Sequence, residues 1–289
     1  MHQYVNCIAH SSSEGQLLIG SEKTAIIDCG MAFCAEETIR KVQEALGDKP
    51  LDYILMTHTH YDHIGALPFF KKIWPNTCAV TSEAGAAVLL KDTPRRVIRE
   101  LSVNAARTLG TGEPVDFSYN DDVFQANLIV KEGDKIPLGD ITVEVLETPG
   151  HTRDSLCFFV PEIELLILNE TPGVLMPDGS IYPCFLTSYS DTINAIEKCR
   201  LLPYKSLSLA HRGIVDKKDT EGFFEKALSV NIACHDFIHD MKKKKYSEDE
   251  MLDLFYQIYG TEILLKYQPK EAFLANARAT IACALKQLE

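Results

Sequence analysis

Apolar positions along the chain keep two different rhythms. Residues 16–20 (QLLIG) and 23–28 (KTAIID) are short apolar runs separated by the polar pair Ser21-Glu22, a pattern that predicts a hairpin. Residues 35–46 change to helical spacing, with Ile39, Val42 and Leu46 on one face. A short strand is predicted over 52–56, then a loop and a helix near 63–73. Next come a strand at 78–81, helical stretches at 83–91 and 94–109, and strands at 127–131, 141–147, 155–160 and 163–168. A helix at 190–202 and a strand at 206–210 follow. From about Asp219 no convincing strand remains. Phe223, Phe224, Leu228 and Ile232, then Leu252, Phe255, Ile258 and Tyr259, recur as on amphipathic helices, and Pro269 suits the first turn of the last one. The pattern predicts a mixed α/β body over 1–218 and a helical C-terminal cap over 219–289.

Composition narrows the field of partners. A chain of 289 residues with 46% hydrophobic residues can fill one large core or two modest ones. A net charge of −12 argues against nucleic acid as a partner. The one basic run, Lys242 to Lys245, reads as a solvated helix end. Its sharper reading is a contact for an anionic tail such as that of a nucleotide-linked thioester. Residues 1–20 carry no basic lead or long apolar run, so no export signal is expected, and no apolar run nears the roughly 20 residues that span a bilayer. The nine cysteines are odd in number and irregularly spaced, with no C-x-x-C. They fit neither a disulfide framework nor a zinc knuckle, and a reducing cytoplasm is the expected location. Whether the chain pairs as a homodimer is left open.

Chemistry concentrates in His58-Thr59-His60-Tyr61-Asp62-His63, directly after the strand at 52–56. Imidazole nitrogens and a carboxylate oxygen are the donors a borderline divalent ion such as zinc prefers. His58 and His60 are two apart, so in an extended stretch they point the same way. Asp62 and His63 stand where the chain turns into a helix and can address a second position. One segment can thus serve two adjacent ions, and Gly65 lets the next turn approach closely. His235 and His239 share a helix face, but no H-E-x-x-H glutamate lies between them, so a partly exposed helical pair is the better reading.

The pattern H-x-H-x-D-H resembles the signature of the metallo-β-lactamase superfamily. The resemblance implies an αββα sandwich and a dinuclear centre of zinc or iron. It implies that Asp28, ending an early strand, orients the ligand loop by a hydrogen bond. Pro149-Gly150-His151 matches the third histidine and Ala210-His211 the last. Glu170 stands where the family usually has aspartate, and Asn169 where it usually has glycine. The implied set is His58, His60 and His151 for one ion and Asp62, His63 and His211 for the other, with Glu170 between them. In plan the chain is most similar to glyoxalase II-like thioesterases and, over nearly its full length, to the quinolone-signal response protein.

The expected reaction is attack of metal-bound hydroxide on a small ester-like substrate, a thioester in preference to a lactone or phosphodiester, with Asp62 orienting the nucleophile or carrying its proton. The alternative is a regulatory or ligand-binding protein that keeps the metal site with little relevant catalysis. The loop after Glu170 is rich in apolar groups. Tyr182, Phe185 and Tyr189 are the expected contacts for a hydrophobic acyl part.

Overall fold

The computed structural model describes residues 3–110, 112, 114–215 and 220–286. The first sheet contains β1 (Gln3–Asn6), β2 (Gln16–Ile19), β3 (Thr24–Ile27), β4 (Tyr53–Leu55), β5 (Cys78–Ser82) and β6 (Leu128–Val130), in that spatial order. β1, β2 and β3 pair antiparallel, and β3 to β6 run parallel. The parallel steps need crossovers. These are supplied by α1 (Ala35–Leu46), the short α2 (Tyr61–Ile64), α3 (Leu67–Ile73), α4 (Glu83–Leu89) and α5 (Asp92–Thr108).

The second sheet begins with β7 (Lys135–Pro137), β8 (Thr142–Glu147), β9 (Leu156–Val160) and β10 (Leu165–Ile167). A small hairpin, β11 (Val174–Leu175) and β12 (Ile181–Tyr182), leaves the sheet before α6 (Tyr189–Arg200). The chain then returns as β13 (Ser206–Leu209) and β14 (Gly213–Ile214), giving the spatial order β14-β13-β10-β9-β8-β7. The helices α7 (Phe223–Lys243), α8 (Glu248–Tyr259), α9 (Glu262–Tyr267) and α10 (Lys270–Lys286) complete it.

The two sheets face each other. Leu18, Ala25, Ile27, Leu55 and Val80 of the first pack against Val143, Val145, Phe158, Val160 and Ile167 of the second. Their chain neighbours Leu17, Ile26, Ile54 and Ala79 point outward, onto Ile39 and Val42 of α1 and Phe70 of α3. On the far side Cys157, Phe159, Leu166 and Leu207 meet Ile196 of α6 and Phe224 of α7. This is an αββα sandwich. Because helices cover both outer faces, β2, β3 and β9 are buried at every position, which is why they read as continuous apolar runs and not as alternation.

The predicted elements occur with shifted ends, and several short ones were not foreseen: β1, β7, the β11–β12 hairpin and β14. Each spans two to four residues, too few to show a period. The predicted helix at 63–73 is divided in two. Gly65 sits at the break because a Cβ there would lie 2.9 Å from Ser102 Oγ of α5 and 2.3 Å from the Tyr61 carbonyl. No strand occurs among the described residues of 220–286. The predicted boundary at 218/219 lies outside the described residues. No helix among the described residues is long and apolar enough to cross a membrane.

Candidate metal centre

Every expected ligand stands at one end of the sandwich, Asp62 and His63 on the short α2 and the rest on loops. Parallel pairing brings the C-terminal ends of β3 and β4 side by side, so Asp28 and the segment from His58 to His63 emerge together. Parallel pairing of β10 with β13 does the same for Glu170 and His211. His151 lies in the connection between the antiparallel β8 and β9. Gly150 before it has φ +144, and a Cβ there would meet Thr192 Oγ1 at 2.2 Å, so only glycine fits that turn.

These loops bring together two groups of side chains. His58, His60, His151 and Glu170 form one; Asp62, His63, Glu170 and His211 form the other. In each, one donor atom per residue lies within 4.8 Å of the rest. Glu170 belongs to both. Its Oε2 is 2.7 Å from His151 Nε2, 3.6 Å from His58 Nε2 and 3.9 Å from His63 Nε2, while its Oε1 is 3.0 Å from His211 Nε2. Asp62 Oδ2 is 3.9 Å from Nε2 of both His63 and His211.

The chemistry of these donors fits divalent cations. His58 Nε2 and His63 Nε2 are buried with no hydrogen-bond partner, an arrangement that costs free energy unless another group meets them. The opposite ring nitrogens are engaged, which turns the free lone pairs inward. His63 Nδ1 is 2.7 Å from Asp28 Oδ2, His151 Nδ1 donates to the Cys184 carbonyl at 2.8 Å, and His58 Nδ1 is 3.1 Å from Thr57 Oγ1.

Asp28 also accepts from the Thr57 amide at 2.8 Å and the Thr57 hydroxyl at 2.6 Å. It holds this position at φ +53, and His211 adopts a similar left-handed backbone at φ +62. Such conformations cost about 1–3 kcal/mol in a non-glycine residue and persist only where surroundings enforce them.

The electrostatic field differs across the centre. Burial, with the neighbouring imidazoles, holds His58 well below the usual histidine range, and burial with His151 beside it lowers His60 to about 4. Burial opposes protonation of His63 too, but Asp28 and Asp62 outweigh it and raise it to about 10. For His211 burial is likewise outweighed, by the Glu170 hydrogen bond and by Glu14, and it rises to about 9. His151 is also raised, against burial, by Cys184 and Glu170. Burial would raise Glu170, yet His151 and His211 keep it well below the ordinary carboxylate range.

Asp154 and Glu14, to which the sequence assigned no part, and Asn169, known from it only as a departure from glycine, support this arrangement. Asp154 Oδ2 accepts the Thr59 amide at 2.8 Å, fixing the loop between the first two histidines. Asn169 donates to Thr148 Oγ1 at 2.9 Å and the Leu156 carbonyl at 3.1 Å, and accepts from the Thr171 amide at 2.8 Å. It therefore ties the His151 turn to the Glu170 loop, work that a glycine has no side chain to do. Glu14 accepts the His211 amide. Neither Asp154 nor Glu14 belongs to a local pattern. Only the acid type and the position beside an apolar run could have raised suspicion of Glu14.

A cavity of about 150 Å³ opens over the ligands. His60, Asp62, Glu170 and His211 line its base. Met31, Leu101, Val174, Met176 and Tyr182 form walls, and Leu264, Tyr267, Ala272, Ala275 and Asn276 come from α9 and α10. Among the described lining residues there is no lysine or arginine.

Two of the expected contacts stand away from the cavity. Phe185 is fully buried in the core of the helical layer, edge-on to Tyr189 at 5.3 Å, and does not line the cavity. Tyr189 stacks on His235 at 3.9 Å and also lies outside it. Both stand near Glu170 in sequence, and Tyr182 and Cys184 do line the cavity, but the next side chain, Phe185, enters the helical core and Tyr189 lies beyond it on α6. His239 Nε2 meets the Ala284 carbonyl at 3.0 Å, so the His235–His239 pair is engaged in helix packing. The lysines 242–245 are exposed at the end of α7, where cations suit the helix dipole, and do not line the cavity.

Comparison with known proteins agrees with this geometry. Residues 16–211 match the model of the metallo-beta-lactamase superfamily. The chain is 28% identical over 207 residues to acyl-coenzyme A thioesterase MBLAC2 of Gallus gallus, covering 70% of this chain and 69% of that one. It is 27% identical over 140 residues to hydroxyacylglutathione hydrolase of Idiomarina loihiensis, covering 48% and 39%. Among solved structures, a metallo-beta-lactamase family protein from Thermus thermophilus superposes with a TM-score of 0.65 at 16% identity, over 99% of this chain and 92% of that one.

Proposed function

The chain belongs to the metallo-β-lactamase superfamily, and from that premise we propose that it is a hydrolase that holds two divalent ions, zinc or iron, and cleaves a small thioester with an uncharged, apolar acyl part. The observation that carries the proposal is Glu170, whose two carboxylate oxygens reach separate histidine groups at the base of an open cavity. The acyl-coenzyme A thioesterase and hydroxyacylglutathione hydrolase among its relatives support a thioester. The mostly apolar lining, without a described lysine or arginine, supports an uncharged acyl group.

His58, His60 and His151 would hold one ion and Asp62, His63 and His211 the other, with Glu170 shared. Such a pair supplies an activated water and a Lewis acid for the carbonyl. Glu170 keeps the two positions together by placing negative charge between them. Asp62 is the most exposed carboxylate of the set, with 19% of its side chain accessible, and it borders the cavity. It orients the attacking water and takes its proton. Tyr182 lines the cavity wall and its hydroxyl is buried without a partner; a turn of the ring toward the cavity brings that hydroxyl to the acyl oxygen as that atom gains charge.

A panel of thioesters, lactones and phosphodiesters tests the reading on metal-loaded protein. Thioesters should turn over, and activity should disappear on chelation and in His58→Ala. If protein carrying two ions hydrolyses no member of the panel, the enzyme reading fails in favour of a regulatory or ligand-binding role.

A further inference from the structure

The two halves of the centre are backed by different chemistry. Behind His58 stands the Thr57 hydroxyl, and behind His151 the Cys184 carbonyl, both neutral. Behind His63 stands the Asp28 carboxylate at 2.7 Å. Behind His211, Nδ1 meets the Ser13 carbonyl at 3.4 Å, and the Glu14 carboxylate accepts its backbone N–H and lies 3.7 Å from its Nδ1. The groups themselves differ in the same sense: Asp62 and Glu170 serve the second, Glu170 alone the first. Asp28 reaches His58 only through Thr57, whose hydroxyl donates to it. Asp154 hydrogen-bonds the Thr59 amide and acts on His60 through its charge, with no hydrogen bond to that ring.

Glu14 is 2% exposed and sits between β1 and β2, far in sequence from His211. Its other oxygen accepts from Gln16 Nε2 at 3.0 Å, and Gln16 Oε1 accepts from Ser208 Oγ of β13 at 2.6 Å. The carboxylate is thus clamped from both sides and bridges the first sheet to the loop that carries His211. The left-handed backbone of His211, at φ +62, is held by the bond from its amide to Glu14. A negative charge so placed, where water does not screen it, favours a cation on that imidazole.

We infer that the two metal positions are inequivalent: the Asp62–His63–His211 position binds its ion more tightly and fills first, and Glu14 is the positioning residue that fixes His211 for it. The inference rests on the two-ion reading above.

Stepwise removal of cobalt(II) from the fully loaded protein by a competing chelator tests it, with ions per chain counted at each step. Wild type should lose one ion well before the other. His151→Ala should keep the tightly held ion, and His211→Ala should lose it. Glu14→Gln, which keeps the size but removes the charge, should release that ion at roughly 10- to 100-fold lower chelator concentration, with the weaker step unchanged. Asp28→Asn should act in the same direction. Two ions lost together in wild type, or a tight ion kept in His211→Ala and lost in His151→Ala, would overturn the inference and leave the two-ion reading intact. Superimposable removal curves for wild type and Glu14→Gln would remove the role of Glu14. Should Glu14→Gln not fold, the two histidine variants still decide which position is tight. A wild type that loads only one ion sinks the two-ion reading instead. The asymmetry then stands if that ion depends on His211 and falls if it depends on His151.

Discussion

The base of the cavity and its helical cover are built on opposite terms. At the base, polar side chains are buried and tied to the backbone: Asp28 alone takes contacts from Thr57 and His63, and Asn169 bonds groups of three separate residues. In the cover, α7 to α10 pack by apolar contact. Phe185, Phe255 and Phe273 are fully buried, and Tyr182 lies among aromatic rings with its hydroxyl unpartnered. Directional bonds can hold a ligand within tenths of an ångström, whereas apolar packing fixes volume and shape. The base is therefore suited to set the chemistry and the cover to set which substrate is admitted.

The largest expected effect tests whether the cover is a core in its own right. Phe185→Ala should lower unfolding stability by about 3–5 kcal/mol, the cost of emptying a buried aromatic site. Its ions per chain and its ratio of long-acyl to short-acyl turnover should stay as in wild type. Equilibrium denaturation beside an acyl-length series reads both, and a changed acyl ratio at unchanged stability would break the division between core and cavity wall.

Asp62→Ala comes next and strikes the base. Loss of a charged group at the reacting atoms should lower kcat by at least about 100-fold while denaturation midpoints of the metal-free protein hold. Near-normal turnover with both ions bound would take Asp62 out of the mechanism.

The smallest effect is expected where base and cover meet. Tyr182→Phe removes one hydroxyl and nothing else. It should lower kcat/KM by roughly two- to tenfold, the range for one neutral hydrogen bond, with metal content unchanged. If steady-state kinetics on a thioester are identical to wild type, the hydroxyl does not touch substrate, and the cover contributes shape alone.

How much was legible in the sequence follows the same division. His58, His60, Asp62 and His63 lie within six consecutive positions, so their closeness needs no tertiary information. The order of strands and helices was also readable, since runs such as 24–27 and 156–160 are apolar at most positions and the helical stretches keep their period. His151, Glu170 and His211 were found only because short turns around them resemble a known family. Phe185 and Tyr189 stand away from the cavity although Tyr182 and Cys184 line it, because nearness in sequence to Glu170 does not say which way each side chain faces.

By itself the sequence determined the layered α/β body, the helical character of the C-terminal part and the donor types of the centre, because each rests on local periodicity or adjacent residues. The tertiary structure alone decided that Glu14 backs His211 across 197 positions of chain, that Asp154 holds Thr59 across 95, and that Tyr182 rather than Phe185 meets the cavity. Those contacts arise where two sheets pack face to face and their loops converge, and no local pattern of residues encodes which distant side chain arrives there.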